Sequence, residues 1–276
     1  MNYRHSFHAG NFADLVKHAL VLWLLGRRQA DGPVAVIDSH AGAGLYDLTG
    51  DAARSREAEA GVARLMAAAD RPPLIEALAA EVARLNPQGG AGLYPGSPLL
   101  IAGRLRPGDR YVGFEMNPPV LALLEQALAP FAEAVGMGGD GYAQAPGWAA
   151  RAPGALVLID PPFERPDDYL RAAETGAAIA RADPRATVAV WTPLKDLETF
   201  DGFLRRLDRA GVKRALVAEA RLRPLANPMK MNGCAMVVLN PPAGAAAAAS
   251  EICGWVAGQL GDPGARAEVW MTGDAA

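Results

Sequence analysis

The residues best suited to chemistry lie together in the stretch 155–163, Ala-Leu-Val-Leu-Ile-Asp-Pro-Pro-Phe. Its first five residues are an apolar run typical of a strand buried on both faces. Pro161 and Pro162 fix φ and supply no N–H, so the chain must leave the sheet in a stiff turn. That turn presents the Asp160 carboxylate, the Pro161 carbonyl and the Phe163 ring in one place. We therefore predict a site for a planar amine, with Asp160, Pro161 and Phe163 as its catalytic residues.

An acid or amide followed by Pro-Pro occurs three times, at residues 117–119, 160–162 and 240–242. Only the second turn continues with an aromatic residue. It also follows a strand whose carboxyl end is expected beside the first strand, next to the point where ligands collect in doubly wound sheets. We assign the chemistry to residues 160–163 and predict structural roles for the other two turns.

A strand pattern at 34–37 leads into a glycine-rich loop, which brings backbone amides close to a nucleotide in doubly wound folds. Gly42 and Gly44 give the spacing G-x-G, but Asp47 stands where a third glycine would complete the dinucleotide fingerprint. Within this loop, His40 is expected to face the occupant. Glu115 ends the next strand, 111–115, where an acid commonly holds ribose hydroxyls.

Two polar residues further along have alternative interpretations. Ser97, followed by Pro98, is either the N-cap of a helix or a ligand contact. Asp140, followed by Gly141, either accepts a hydrogen bond from an adenine amino group or makes a turn.

Strands and helices alternate after residue 160, with helices at 168–182 and 196–210 and strands at 187–191 and 215–220. A final strand at 234–239 is expected to pair antiparallel with its predecessor, and an alanine-rich helix near 243–260 and a short tail follow. The pattern predicts an α/β fold, a doubly wound and mostly parallel seven-stranded sheet in one domain, 1–276. Residues 45–93 are too long for one crossover helix and are predicted to form an inserted helical subdomain.

The N-terminus is predicted to be a polar arm over residues 1–10, followed by a helix from the N-cap Asn11 to Leu25 that Gly26 closes. Asp14 precedes Lys17 and His18 by one helical turn, so both side chains could pair with it. From the pattern alone, these two residues belong either to a solvated helix face or to a site.

Composition excludes several classes of protein. A net charge of −3 and a pI near 5.8 argue against a general polyanion binder, although Arg4, Lys17, Arg27 and Arg28 oppose only Asp14 in the first 30 residues. If nucleic acid is bound, this end is the expected contact. Two cysteines make no disulfide framework, and no signal peptide or spanning segment is recognised, so a cytoplasmic setting is expected. His5, His8 and His18 match no usual ligand spacing and have no cysteine nearby, so no metal is predicted.

These motifs resemble an S-adenosylmethionine-dependent amino-methyltransferase of the Asp/Asn-Pro-Pro-aromatic type. The N-terminal residues 3–11 (Tyr-Arg-His-Ser-Phe-His-Ala-Gly-Asn), with Asp14, Lys17 and His18, are more specific. Together with 39–44, 94–98 and 240–242 they resemble the bacterial large-subunit ribosomal RNA methyltransferase J family. This family usually has tyrosine at the position of Phe163 and threonine at that of Ser39.

The resemblance implies a class I, Rossmann-like methyltransferase that methylates N6 of one adenine in 23S ribosomal RNA. It implies no membrane association, no obligate protein partner, and an arm and first helix (1–30) that cover the cofactor. The cofactor site would include His18, His40, Gly42, Ser97, Glu115, Asp140, Gly141 and Asp160, and the RNA would contact Tyr3, Arg4, His5 and Lys17.

Three other functions remain open at this point. The amine could belong to DNA adenine or to a protein glutamine, because the Pro-Pro-aromatic turn serves those substrates too. A protein that binds S-adenosylmethionine without catalysis is disfavoured by the intact turn at 160–163. An adenine-dinucleotide oxidoreductase is disfavoured by the incomplete glycine fingerprint.

Overall fold

The computed structural model describes residues 8–49, 56–225 and 231–273, and within them strands and helices alternate around one large sheet. The strands are β1 (Ala35–Asp38), β2 (Leu45–Asp47), β3 (Leu93–Pro95), β4 (Arg110–Glu115), β5 (Ala134–Gly138), β6 (Leu156–Ile159), β7 (Thr187–Leu194), β8 (Ala215–Arg221), β9 (Gly233–Leu239) and β10 (Arg266–Met271). The helices are α1 (Phe12–Gln29), α2 (Arg64–Ala67), α3 (Pro73–Leu85), α4 (Ser97–Ala102), α5 (Pro118–Leu128), α6 (Gly141–Ala149), α7 (Asp168–Ala182), α8 (Leu197–Arg209) and α9 (Ala245–Leu260).

The large sheet has eight strands in the order β10-β8-β9-β7-β6-β1-β4-β5. Its centre, β7-β6-β1-β4-β5, is parallel, and β9 pairs antiparallel with both β7 and β8. The predicted doubly wound, mostly parallel α/β fold is therefore confirmed. Strand order reverses at β1, so the carboxyl ends of β1 and β6 lie side by side at the point where such sheets bind ligands.

Both faces of the sheet are buried because successive strand residues point to opposite sides. In β6, Leu156 and Leu158 pack with α1, α4, α5 and α9, whereas Val157 and Ile159 pack with α6, α7 and α8. Strands with no polar alternation are the sequence signature of this two-sided burial. The rigid central strands then hold whatever extends beyond their carboxyl ends.

Three details differ from the sequence-based expectations. The sheet has one strand more than predicted, because the tail contains β10, which pairs antiparallel with β8. Residues from 45 onward do not begin as helix: β2 pairs antiparallel with β3 and closes the base of the insertion. Helix α1 continues through Gly26 to Gln29, where Arg27 and Arg28 complement the negative end of the helix dipole.

The insertion between β2 and β3 packs against the first and last long helices. A π-helical turn (Glu59–Ala63) runs into α2, and α3 contacts both α1 and α9. Ile75, Leu78 and Val82 of α3 are fully buried in the same core as α1. The insertion thus supports the helix that covers the sheet's carboxyl edge. In the described ranges, no helix combines the length and hydropathy that crossing a membrane requires.

Candidate active site

A cavity of about 980 Å³ opens at the carboxyl edge of the sheet, beneath the N-terminal half of α1. The glycine loop after β1, the end of β4 and residues 160–165 after β6 form its walls, and the end of β7 and the start of the insertion complete it. Cavities of about this volume are typical binding sites for small molecules and cofactors. The β1–β6 register, with Asp38 opposite Leu158, brings the glycine loop and the Asp160 turn together.

A buried ion pair joins α1 to this turn. Lys17 Nζ lies 2.5 Å from Asp160 Oδ2 and 2.7 Å from Asp14 Oδ1. The side chains of Lys17 and Asp14 are each 5% exposed, and that of Asp160 is 13% exposed. Within the described part of the chain, Asp160 Oδ1 accepts no hydrogen bond. One carboxylate oxygen is thus fixed by Lys17, and the other remains available at the cavity wall.

The expected pairing of Asp14 with Lys17 and His18 is confirmed, with His18 Nε2 4.0 Å from Asp14 Oδ1. Burial alone lowers the pKa of Lys17, but the charges of Asp14 and Asp160 outweigh it and raise that pKa well above 10.5. The interpretation of Lys17 and His18 as part of a solvated helix face is therefore wrong. Two internal carboxylates already hold the Lys17 ammonium. The contact of Lys17 with RNA stays a prediction.

The turn at 160–163 holds its aromatic residue in an unusual backbone conformation. Phe163 has φ +50°, a region that a bulky residue rarely occupies without a constraint. Its ring centroid lies 4.4 Å from that of Tyr169 and 5.9 Å from that of Trp191. Phe163 and Trp191 both line the cavity, so an apolar, partly aromatic wall adjoins Asp160.

The other two Pro-Pro turns start a helix or bond to the backbone of neighbouring segments. Pro118 and Pro119 occupy the first turn of α5, where a missing N–H costs nothing. Asn240 also has a positive φ, +49°, but its amide donates to the carbonyls of Ala180 and Ala186 at 3.0 Å each. Asn117 of the first turn lines the cavity, but neither turn presents a carboxylate and an aromatic ring there.

A second buried carboxylate organises the floor of the cavity. Asp38 Oδ2 accepts from the Ser97 hydroxyl at 2.7 Å and the Tyr111 hydroxyl at 3.2 Å, and Asp38 Oδ1 accepts from the His40 N–H at 3.2 Å. Burial raises the pKa of Asp38 to about 6, although the hydrogen bond from Ser97 opposes the rise. The N-cap interpretation of Ser97 is wrong: Gly96 is the cap, and Ser97 is the first helical residue.

His40 is held neutral beside the glycine loop. Burial, reinforced by the charge of Arg171 against that of Asp140, lowers its pKa to about 4. Its ring meets Tyr142 edge-on at 4.6 Å, and Nδ1 lies 2.7 Å from the Ser39 hydroxyl. A neutral imidazole here adds no positive charge to the cavity.

Asp140 has a structural role in this geometry. Its side chain accepts from Tyr142 N, which caps α6, and pairs with Arg171. Gly141 begins α6 so close to Ser39 that a Cβ would lie 1.8 Å from the Ser39 carbonyl oxygen. Neither Asp140 nor Gly141 lines the cavity, whereas their neighbours Tyr142 and Arg171 do. A cofactor contact for these two residues stays a prediction.

The residues of the cavity fit a nucleoside that carries positive charge. Gly42 has φ +68°, and a Cβ there would lie 2.4 Å from the Tyr46 hydroxyl, so the tight loop that lines the cavity requires glycine at this position. Glu115 ends β4 at one side, its Oε1 accepting from Asn117 N at 2.7 Å. Met116 and Leu123, both exposed, offer apolar surface beside it. Asp14 and Asp160, which both line the cavity, hold the buried ammonium of Lys17 between them.

The structure brings most predicted site residues to this one cavity. Those that line it are Lys17, His18, His40, Gly42, Ser97, Glu115, Asp160, Pro161 and Phe163. Tyr3, Arg4 and His5 lie outside the described residues. Across the ranges that are described, no three His, Cys, Asp or Glu side chains are grouped to hold a metal ion.

Sequence reasoning missed three side chains at the site. Asp38 could have been found as the acid that ends the first strand directly before a glycine loop. Trp191 is the last residue of the strand predicted at 187–191. An aromatic residue at the carboxyl end of a parallel strand, where ligands bind, could have indicated a site residue. Glu57 lines the cavity from the insertion, and no local pattern marks it.

Comparison with known proteins decides the family. The family model described as "Ribosomal RNA large subunit methyltransferase D, RlmJ" matches residues 31–272. The chain belongs to this methyltransferase family. Ribosomal RNA large subunit methyltransferase J from Escherichia coli K12 is 32% identical over 248 residues, 88% of each chain. The protein of that name from Haemophilus influenzae is 31% identical over 250 residues, again 88% of each.

A crystal structure of a Legionella pneumophila protein has the same fold. It superimposes with a TM-score of 0.87 at 23% identity and covers 97% of this chain and 99% of its own. The methyltransferase J family uses S-adenosylmethionine, a nucleoside with a positively charged sulfur, as its methyl donor. That cofactor agrees with the glycine loop, the acidic wall and the apolar surface around Met116.

Proposed function

We propose that this methyltransferase transfers the methyl group of S-adenosylmethionine to the N6 amino group of an adenine in 23S ribosomal RNA, in the cytoplasm. The observation that carries the proposal is the turn at 160–163. Its carboxylate and aromatic ring face the same cavity as the glycine loop. The names of the relatives, ribosomal RNA large subunit methyltransferases, support the choice of RNA.

The cofactor would lie against the glycine loop, between Glu115 and Asp160. Bound there, it supplies an electrophilic methyl carbon on a positively charged sulfur. The Glu115 carboxylate is placed to accept from ribose hydroxyls, and Gly42 lets the backbone approach. The neutral His40 adds no repelling charge, and the Glu115 and Asp160 carboxylates that line the cavity favour a cationic ligand.

Asp160 and Pro161 would orient the amino group of the target base. The N6 lone pair of adenine is delocalised into the ring and is a poor nucleophile. Asp160 Oδ1 and the Pro161 carbonyl can accept the two amino hydrogens, which draws the nitrogen toward tetrahedral geometry and aims its lone pair in line. Positioning of this kind is a large part of the barrier reduction in group transfer. As nitrogen bonds to carbon and carbon leaves sulfur, the surplus proton passes to Asp160 or to water.

Lys17 would hold the carboxylate ready for this role. Its ammonium fixes Asp160 Oδ2 at 2.5 Å, which leaves Oδ1 as the acceptor for the base. The pair also couples α1 to the reacting centre, so displacement of the helix would misplace Asp160. Lys17 thus acts through Asp160 and is a positioning residue.

Phe163 would stack on the adenine. Base–aromatic stacking contributes ~1–3 kcal/mol per base. The base must leave its helix or lie in a single strand to reach such a cavity. The stiff turn at 160–163 and the contact with Tyr169 hold the Phe163 ring at the cavity wall beside Asp160.

The test is transfer of labelled methyl groups to 23S ribosomal RNA from cells that lack the modification. We expect transfer by the wild type, none by Asp160→Ala, and unchanged transfer by Asp167→Ala. Alanine removes the acceptor oxygens, whereas asparagine would keep one of them. Asp167 is a matched control because it is a partly exposed aspartate on the same segment, paired with Arg165 at 3.0 Å. Calorimetry should show that Asp160→Ala still binds S-adenosylmethionine. Full activity of Asp160→Ala would contradict the proposed role, and no transfer by the wild type would contradict the substrate.

A further inference from the structure

The start of α1 is fastened to the insertion by one carboxylate that uses both of its oxygens. Glu57 Oε1 lies 2.9 Å from His8 Nδ1, and Glu57 Oε2 accepts from Asn11 Nδ2 at 2.9 Å. All three residues line the cavity. Because Glu57 belongs to the insertion and the other two precede α1, this contact joins two segments that are distant in sequence.

Backbone contacts reinforce the same junction. Val62 N donates to Gly10 O at 2.8 Å. A Cβ on Gly61 would lie 2.2 Å from Gly10 O and 2.8 Å from the Asn11 Cα, so the insertion and the segment 8–11 are in direct backbone contact. Such a close approach admits only glycine, which shows a packed interface between the two segments.

The junction is connected to the reacting carboxylate through α1. Asn11 Oδ1 caps the helix by accepting from Ala13 N and Asp14 N. Asp14 accepts from Gly10 N through Oδ2 and holds Lys17 through Oδ1, and Lys17 holds Asp160. A shift of residues 8–11 would therefore be felt at both the arm and the Asp160 turn.

We propose that Glu57 is a positioning residue that clamps residues 8–11 to the insertion and so sets where the N-terminal arm meets the RNA. The inference rests on the proposed function, because it assigns the arm to the RNA substrate. In this arrangement the insertion anchors residues 8–11, from which the arm begins, at the cavity. The clamp acts on substrate binding, and the glycine loop that would hold the cofactor is not part of it.

The pH dependence of the clamp follows from its charges. The hydrogen bond to Glu57 raises the pKa of His8 above 6.5 against the opposing effect of burial, and the charges of Glu57 and Asp14 add to the rise. The charged form of the pair is present below the His8 pKa and is lost as pH rises through it. The affinity for RNA should therefore fall above that pKa in the wild type. The fall should be smaller in a Glu57 variant that lacks the carboxylate.

The experiment measures KM for RNA, kcat and the Kd for S-adenosylmethionine in the full chain with Glu57→Ala, Glu57→Gln or Glu59→Gln. Glu59 is the matched control, since it is exposed, two residues along, and paired with Arg56 away from the arm. We expect KM for RNA to rise about tenfold in Glu57→Ala, since hydrogen bonds to charged groups are worth this much. Glu57→Gln should show a smaller rise and a flatter pH profile of KM, and the Kd for S-adenosylmethionine should stay within about twofold in all variants.

A second readout separates the clamp from a general effect on folding. In a chain that lacks residues 2–7, Glu57→Ala should raise KM for RNA no further, because the arm it positions is gone. An unchanged KM in both Glu57 variants, an additive effect in the truncated chain, or an equal rise in Glu59→Gln would each overturn the inference. Absence of methyl transfer by the wild type would instead overturn the proposed substrate, so the two failures are distinguishable.

Discussion

The Lys17→Met substitution tests whether the charged contact between α1 and the Asp160 turn holds the site together. It removes the cation and leaves the carboxylates of Asp14 and Asp160 facing one another with little solvent. Breaking a buried ion pair by removing one partner costs about 3–5 kcal/mol, because the remaining charge is uncompensated. Two carboxylates share Lys17, so we expect the upper part of this range in the free energy of unfolding. For a chain of this size that corresponds to a fall in Tm of roughly 10 °C.

The assay is chemical denaturation of the wild type, Lys17→Met and Lys213→Met. Lys213 is the matched control: it pairs with Asp208 at 2.8 Å, but the two side chains are 74% and 64% exposed. Exposed pairs contribute about 0–1 kcal/mol, so Lys213→Met should be nearly neutral. Adding Asp14→Asn to Lys17→Met should recover part of the loss by removing one unpaired charge.

The pH dependence of the unfolding free energy tests the same ion pair of Lys17. The pKa of Lys17 is raised in the folded protein, so its stabilisation is complete below about pH 10 and is lost as pH rises through the higher folded value. The difference in unfolding free energy between the wild type and Lys17→Met should therefore be constant from about pH 7 to 9. Equal stabilities of Lys17→Met and Lys213→Met would refute the reasoning.

Other predictions concern the base and the cavity floor. Phe163→Ala should raise KM for RNA by roughly 5- to 160-fold, the equivalent of ~1–3 kcal/mol of stacking, whereas Phe163→Tyr should stay near the wild type. An unchanged KM in Phe163→Ala would show that Phe163 does not contact the base. The pKa of Asp38 is raised to about 6, so its ionisation lowers the unfolding free energy by about 3 kcal/mol as pH rises from about 3 to about 7. Denaturation at the two pH values should show this contribution lost in Asp38→Asn, and an unchanged pH dependence in that variant would contradict the assignment.

The sequence predicted the parts of the fold that depend on local patterns. Uninterrupted apolar runs identified the strands of the sheet, and Asn11 marked the start of α1 through its capping side chain. β10 was missed because Arg266–Met271 mixes charged and apolar residues, as an exposed edge strand does. The predicted helix end at Gly26 is wrong because a glycine, although common at helix ends, can also continue a helix when the following turn is stabilised.

The site was predictable where a motif carries it and not where it depends on tertiary contacts. The Asp160 turn and the glycine loop have local signatures, so their residues were identified from sequence. The burial of Lys17 follows from contact with Asp160, 143 residues away, which no helical pattern reveals. The capping prediction for Ser97 fails for the same reason, since its hydroxyl bonds to Asp38 and not to its own helix.

The central claim is that this chain methylates the N6 amino group of adenine in 23S ribosomal RNA through Asp160. The most direct measurement is nucleoside analysis of unmodified 23S ribosomal RNA after incubation with the enzyme and labelled S-adenosylmethionine. We predict N6-methyladenosine at a single site, formed by the wild type and absent with Asp160→Ala. Label in another nucleoside, or N6-methyladenosine formed equally by Asp160→Ala, would contradict the account.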